Sequence, residues 1–345
     1  MNNNKSINIQ AFFNILSTVL LTGINFITIP IFTRLLGAEQ YGYYSIFYSW
    51  SSIINVFMGL QTHTSLAIAR YDYKDNFNSY KKNILLFGTL ISACFILCGI
   101  LLKNVLSDVL GFPQKIIILM FVFAFYNYVI GFMDSLLLYD KKAKQRLFLS
   151  VLIALASAGL SYCLIVNKTF NPLYISRIFG VVFPYIAIVS LVWIFLFFSN
   201  KGKFDINQCN YALTYGFPIV FHLLSHEILS QTNKLMLQYL GFAGAAVGVF
   251  SFFQSFNSIL SVILNALNTS WSPFYNDDLN NRDFDNLNRK TKNYIELFSI
   301  IICGFILLSR EVVYLFADNE FWGGMNIIPI LGAGVYLTFM YQFAV

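Results

Sequence analysis

Ten stretches of this 345-residue chain are long and apolar enough to cross a bilayer, which fixes its class before any motif is considered. A helix rising 1.5 Å per residue needs about 20 mainly apolar residues to span the hydrocarbon core. Residues 11–32, 43–60, 84–102, 116–138, 148–166 and 172–198 meet that requirement, and 211–240, 245–267, 294–308 and 326–345 meet it with more polar atoms inside them. Only 11% of the residues are charged and 57% are hydrophobic, where a soluble globule carries about 25% charged. A soluble single-domain fold is excluded. The expected fold class is an all-α, polytopic integral membrane bundle of about ten transmembrane helices.

The basic residues fall on alternate connections. With the N-terminus placed in the cytoplasm, the inner side receives Lys5; Arg70, Lys74, Lys81 and Lys82; Lys141, Lys142, Lys144 and Arg146; Lys201 and Lys203; and Arg282, Arg289, Lys290 and Lys292. Arg34, Lys103, Lys115, Lys168, Arg177, Lys234 and Arg310 remain. Such a bias over short loops orients a membrane protein, so both termini are expected in the cytoplasm. It also accounts for the net charge of +6 without a nucleic-acid partner. The apolar run after residue 10 is too long for the core of a cleavable signal, so the first span is expected to stay as an anchor. Cys94, Cys98, Cys163 and Cys303 fall in expected spans and Cys209 in a cytoplasmic connection; burial in the membrane fits them better than zinc or a disulfide.

An internal repeat organises the chain. At an offset of 206, Gly42, Ser45, Phe47, Ser49, Ser52, Ile53 and Val56 meet identical residues at Gly248, Ser251, Phe253, Ser255, Ser258, Ile259 and Val262. Each copy follows a Leu-Gly turn, Leu36-Gly37 in one and Leu240-Gly241 in the other. Six spans separate the copies, an even number, so both enter the membrane in the same direction. Parallel repeats of this kind build transporters whose substrate site lies between the halves. Two halves are expected: 1–200, a six-helix N-terminal lobe, and 201–345, a C-terminal lobe of four helices that reads as truncated. The connections 61–83 and 269–293 each follow the second span of a half and read as amphipathic surface segments.

Charge inside a span costs about 2.5–3.5 kcal/mol at mid-bilayer and faces an interior or a wet cavity. The seventh span is the richest, with His222, His226, Glu227, Ser230, Asn233, Lys234 and Gln238. At about 100° per residue, His222, His226, Ser230 and Asn233 form one broad face with Lys234 at its edge. The first span carries a milder stripe of Asn14, Thr18 and Asn25, with Arg34 at its outer end. Lys234, Arg34, Arg177, Asn25 and Asn233 are the candidates for lining a central cavity that neutralises an anionic group, Lys as a point charge and Arg as a bidentate phosphate ligand. Snorkelling to the interface is the competing reading for Arg34 and Arg177. His226, Glu227 and His222 are candidates for ion coupling, since His titrates near neutrality; interhelical hydrogen bonding is the alternative. The His222/His226 spacing lacks the acid of an HExxH pattern, so no metal is expected, and no other cofactor. Asp134 is expected to pair with a base such as Lys141 or Lys142. Walker, Rossmann and GxSxG patterns are absent from the sequence.

The run Asn-Phe-Ile-Thr-Ile-Pro-Ile-Phe-Thr-Arg-Leu-Leu-Gly-Ala-Glu-Gln-Tyr-Gly at 25–42 resembles the N-terminal signature of Wzx-type polysaccharide (O-antigen) repeat-unit flippases, the polysaccharide-transporter branch of the MATE-like superfamily. Tyr215-Gly-Phe-Pro218, Asn233-Lys-Leu-Met-Leu237 and Val247-Gly-Val-Phe-Ser251 resemble the start of that family's second half. An Asp-Arg pair is frequent in the family where Asn233-Lys234 stand, so the acid is lost and the base kept. The resemblance implies a two-lobe MATE-like bundle in the bacterial inner membrane that flips an undecaprenyl-diphosphate-linked oligosaccharide, for O-antigen, lipopolysaccharide or capsule, by alternating access driven by an ion gradient. It implies a non-enzymatic role beside a polysaccharide polymerase and a chain-length regulator. A MATE-type multidrug or cation antiporter is the nearest rival, but the first span lacks the acid such proteins often carry there. A lipid II flippase differs mainly in specificity. A membrane-embedded oligosaccharide polymerase needs a larger external loop than 103–115 or 167–171.

Overall fold

The computed structural model describes residues 2–199, 204–242 and 244–344. The side chains of Asn14 and Thr18, and the 200/201 boundary with Lys201 and Lys203, lie outside the described residues. The chain runs through α1 (Asn2–Phe57), a 3-10 segment (Met58–Ser65), α2 (Leu66–Asp72), α3 (Phe77–Leu101), α4 (Lys103–Leu110), α5 (Gln114–Tyr139), α6 (Ala143–Val166) and α7 (Leu173–Ser199). It continues with α8 (Ile206–Tyr239), α9 (Ala245–Asn280), α10 (Phe284–Phe316), α11 (Asn319–Trp322) and α12 (Ile327–Ala344). Helix is the natural answer for so apolar a chain, because it satisfies each backbone N–H and C=O within its own segment.

Among the described residues, seven helical segments are long and apolar enough to span a membrane. The difference from the expected ten lies in three places. Segment Leu20–Asp72 counts once, although Gly37 (φ 72, ψ 172) breaks α1 within it. The long α8 is too polar to qualify, and the apolar part of α12, Ile327–Gln342, is short.

Chain contacts sort the molecule into two compact units. The first comprises Met1–Asn25 and Tyr43–Phe242, the second Phe26–Gly42 and Ala243–Val345. α8 therefore packs in the first unit, and the middle of α1 in the second. The first unit centres on Met58, Tyr80, Ile84, Tyr128, Val129 and Phe132. Two pairs of buried hydroxyls meet there: Ser65 with Tyr80 at 2.7 Å and Thr62 with Tyr128 at 3.3 Å. The beginning of the 61–83 connection is thus interior, not surface, for Gln61, Thr62 and Ser65 are all buried. Asp134 also differs from expectation. It takes a two-pronged pair from Arg146, with Nε at 2.5 Å and Nη2 at 2.7 Å, while Lys142 pairs with Asp140 and Lys141 sits in the turn at φ 60. The planar guanidinium matches a carboxylate in a way that a lysine cannot.

In the second unit, Leu260, Leu264, Phe298, Ile302, Val335 and Phe339 form the core, with Trp271 stacked on Tyr294 at 4.8 Å. Gly42 and Gly248, partners in the sequence repeat, meet there. A Cβ on Gly248 would lie 1.9 Å from the Ala38 carbonyl oxygen, and one on Gly42 would lie 2.0 Å from that of Gly244. Backbone touches backbone, the close approach that small residues permit between membrane helices.

Candidate functional site

Three polar residues of α8, Glu227, Gln231 and Lys234, stand at i, i+4 and i+7, so they share a helix face. The helix is anchored at its start by Asp205, whose carboxylate accepts the Asn207 N–H at 2.9 Å, in the manner of an N-cap. From α3, Asn83 Nδ2 donates to the Asp205 carbonyl at 2.7 Å and to Gln208 Oε1 at 3.1 Å. At its end, Gln238 Nε2 donates to the Leu110 carbonyl of α4 at 2.8 Å. These contacts fix the rotation of α8 within the first unit.

Gln231 is the hub of the face. Its Oε1 accepts from Ser49 Oγ of α1 at 2.8 Å and from Lys234 Nζ at 3.4 Å, and its Nε2 donates to Glu227 Oε2 at 3.3 Å. Gln231 is not among the residues that span polarity singles out. Its position one turn from Glu227 and just under one turn from Lys234 is the signal that could have found it. The row that turns inward is this one, and the broad His222/His226/Asn233 face is exposed instead. The contrast is sharpest for neighbours: the His226 side chain is 71% exposed and that of Glu227 26%.

Arg177 of α7 lies over the Tyr44 ring at 5.0 Å, a cation–π geometry. Tyr44 and Ser49 are five residues apart on α1, about 7.5 Å at helical rise. Arg177 and the Lys234–Gln231 pair therefore address the same stretch of that helix. Below it lies a cavity of about 270 Å³, with Tyr48, Ser51, Asn55 and Gln61 on one side and Asn127, Phe123 and Glu227 on the others. Gln61 reaches it through left-handed backbone, φ 46 at Leu60 and 55 at Gln61, a conformation uncommon for side-chain-bearing residues and frequent at sites under constraint.

Arg34 belongs to the second unit and its donors are engaged there. Nη2 donates to the Leu315 carbonyl at 2.6 Å, and Nε lies 3.9 Å from Asp318 Oδ1. A cation at the C-terminal end of α10 complements the helix dipole. The Ala38 N–H, just past the Gly37 break, donates to Glu320 Oε2 at 2.7 Å. Asn25 is exposed, at the last residue of the first unit before α1 enters the second. Cys209 lies in the first turn of α8, not in a loop, and is buried, while Cys94, Cys98, Cys163 and Cys303 are exposed. Burial, with Asp205 nearby, pushes the Cys209 thiol up from its ordinary value. Among the described residues, no cluster of three or more His, Cys, Asp or Glu could hold a metal.

These features define a multi-pass helical membrane protein. The chain matches the model of the polysaccharide biosynthesis protein family over residues 10–276, and it belongs to that family. Among solved structures, it resembles the lipid II flippase MurJ in an inward closed conformation, with a TM-score of 0.73 and 14% identity, over 96% of this chain and 74% of that one. It resembles a MATE-family multidrug resistance transporter of the MOP superfamily, inward-facing, with a TM-score of 0.64 and 14% identity, over 96% and 78%. A third likeness is to a point mutant of the Vibrio cholerae MATE transporter VcmN, with a TM-score of 0.61 and 15% identity, over 95% and 80%. No curated protein matches the chain.

Proposed function

We propose that the protein flips an undecaprenyl-diphosphate-linked oligosaccharide repeat unit, for O-antigen or capsule, from the inner to the outer leaflet. It does so by exposing one binding site alternately to the two membrane faces, without enzymatic conversion of the cargo. Its place is the bacterial inner membrane with both termini cytoplasmic, working beside a polymerase and a chain-length regulator. In this reading 1–200 and 201–345 are the two repeated halves of the transporter.

The observation that carries the proposal is the placing of Lys234 and Arg177 along one stretch of α1, each held by a neighbour in its own unit. Two cations within so apolar a chain favour an anionic cargo, and a diphosphate offers oxygens to both. Asn233 stands on the exposed side of α8 with His222 and His226, which makes it the weaker candidate for the headgroup. Arg34 serves the cargo only by leaving Leu315. For ion coupling the inward carboxylate of Glu227 is the stronger candidate, and His222 and His226 stand on the exposed side of the helix.

The test is deletion of the gene in its host, followed by analysis of surface polysaccharide and lipid-linked intermediates. Loss of polysaccharide with accumulation of intermediates in the inner leaflet is the expected outcome. Normal polysaccharide without accumulation, in a strain lacking other exporters, refutes it. Glu227 also keeps a second reading in play, a cation antiporter, and efflux of cationic dyes by reconstituted protein would decide for that one.

A further inference from the structure

The cavity beside Glu227 has a chemistry that the two cations do not explain. Three of its polar side chains each spend a donor on the protein's own backbone. Gln61 Nε2 donates to the Val56 carbonyl at 3.0 Å, Asn127 Nδ2 to that of Phe123 at 2.9 Å, and Ser51 Oγ to that of Phe47 at 2.8 Å. Those bonds orient the amides and leave their oxygens as acceptors. Asn55 Oδ1 is buried and takes no hydrogen bond from any described residue. Glu227 adds a carboxylate, of which Oε2 is engaged by Gln231. The wall therefore offers several acceptors, among them a carboxylate. Tyr48 and Phe123 complete it with aromatic surface.

We propose that this cavity receives one sugar ring of the cargo, and that it selects rings whose substituents are hydroxyls or amides over rings that carry a carboxylate. The proposal rests on the flippase reading above and extends it to specificity. A sugar hydroxyl is a donor to the Asn55, Asn127 and Gln61 oxygens and to Glu227, and the apolar face of a ring lies against an aromatic side chain. A uronic acid brings a second negative charge against Glu227. The spacing supports a shared headgroup. Glu227 and Lys234 are seven residues apart, about 10 Å along the helix, a distance that a diphosphate and its first sugar can span.

The experiment titrates the purified full chain in detergent with three probes, read by tryptophan emission. These are polyprenyl diphosphate alone, the same lipid carrying one N-acetylhexosamine, and the same lipid carrying one hexuronic acid. The hexosamine lipid is expected to bind at least about tenfold more tightly than the uronic acid lipid, the scale of one like-charge contact in a partly screened site. Glu227→Gln should shrink that ratio below about threefold, and Asn55→Leu should weaken the hexosamine lipid while sparing the bare diphosphate. Lys234→Ala should weaken all three alike. Equal binding of the two sugars by wild type overturns the proposal and leaves the flippase reading standing. So does an unchanged ratio in Glu227→Gln. Failure of all three probes to bind removes the flippase reading and this one with it.

Discussion

Gly248→Ala probes the close backbone approach between Gly248 and Ala38 inside the second unit. The new Cβ would stand 1.9 Å from the Ala38 carbonyl oxygen, where real Cβ atoms keep at least 3.0 Å. The obstacle is backbone, so no side chain can swing aside, and the helices themselves must part by about an ångström. Overpacking of this kind costs about 1–3 kcal/mol, and an obstacle made of backbone argues for the upper end. Replacing Gly by Ala in a helix returns up to about 1 kcal/mol. The net loss should be about 2 kcal/mol, which at roughly 2–4 °C per kcal/mol for a chain of a few hundred residues lowers Tm by about 5 °C. Thermal unfolding of the purified protein in detergent measures it, with Gly304→Ala as the control. That site lies in α10 with nothing within 4 Å of the added carbon, so the control should be neutral or slightly stabilised. Gly248→Ala as stable as Gly304→Ala would refute the account of the helix crossing.

A Ser49→Ala, Gln231→Leu double-mutant cycle should return a coupling of about 0.6 kcal/mol and no more than about 1.7, the mean and maximum for hydrogen bonds between membrane helices, and a value near zero means Ser49 and Gln231 do not interact. Lys234→Ala should abolish or strongly reduce polysaccharide export at unchanged membrane abundance, and full export by this variant removes Lys234 as a cargo ligand. Arg34→Ala acts differently: losing the Leu315 and Asp318 contacts should lower thermal stability by about 0.5–2 kcal/mol, checked in the same unfolding assay. In a variant that keeps Cys209 alone, maleimide labelling should need a higher pH than a free thiol does. Burial raises the thiol's pKa, so less thiolate exists at a given pH, and denaturation should abolish the difference.

The sequence carried the class of the fold, the approximate spans and the Leu36-Gly37 turn, because the bilayer requirement is written along the chain. Hydropathy needs no knowledge of neighbours, and a left-handed break needs only a glycine in the right place. The 206-residue repeat was legible too, though not its consequence, the meeting of Gly42 with Gly248. The face of α8 that turns inward was beyond it. α8 carries polar residues on more than one side, so its rotation is set by a few local bonds and not by a single amphipathic stripe. Asn83 to Asp205, Gln238 to Leu110 and Ser49 to Gln231 decide that Glu227 and Lys234 point in and His226 does not. Arg34 makes the same point, since a partner at Leu315 lies 281 residues away. Contacts of that separation exist only once the helices have packed, and for polar side chains in so apolar a molecule it is the packing partner, not the spacing along the chain, that selects the role.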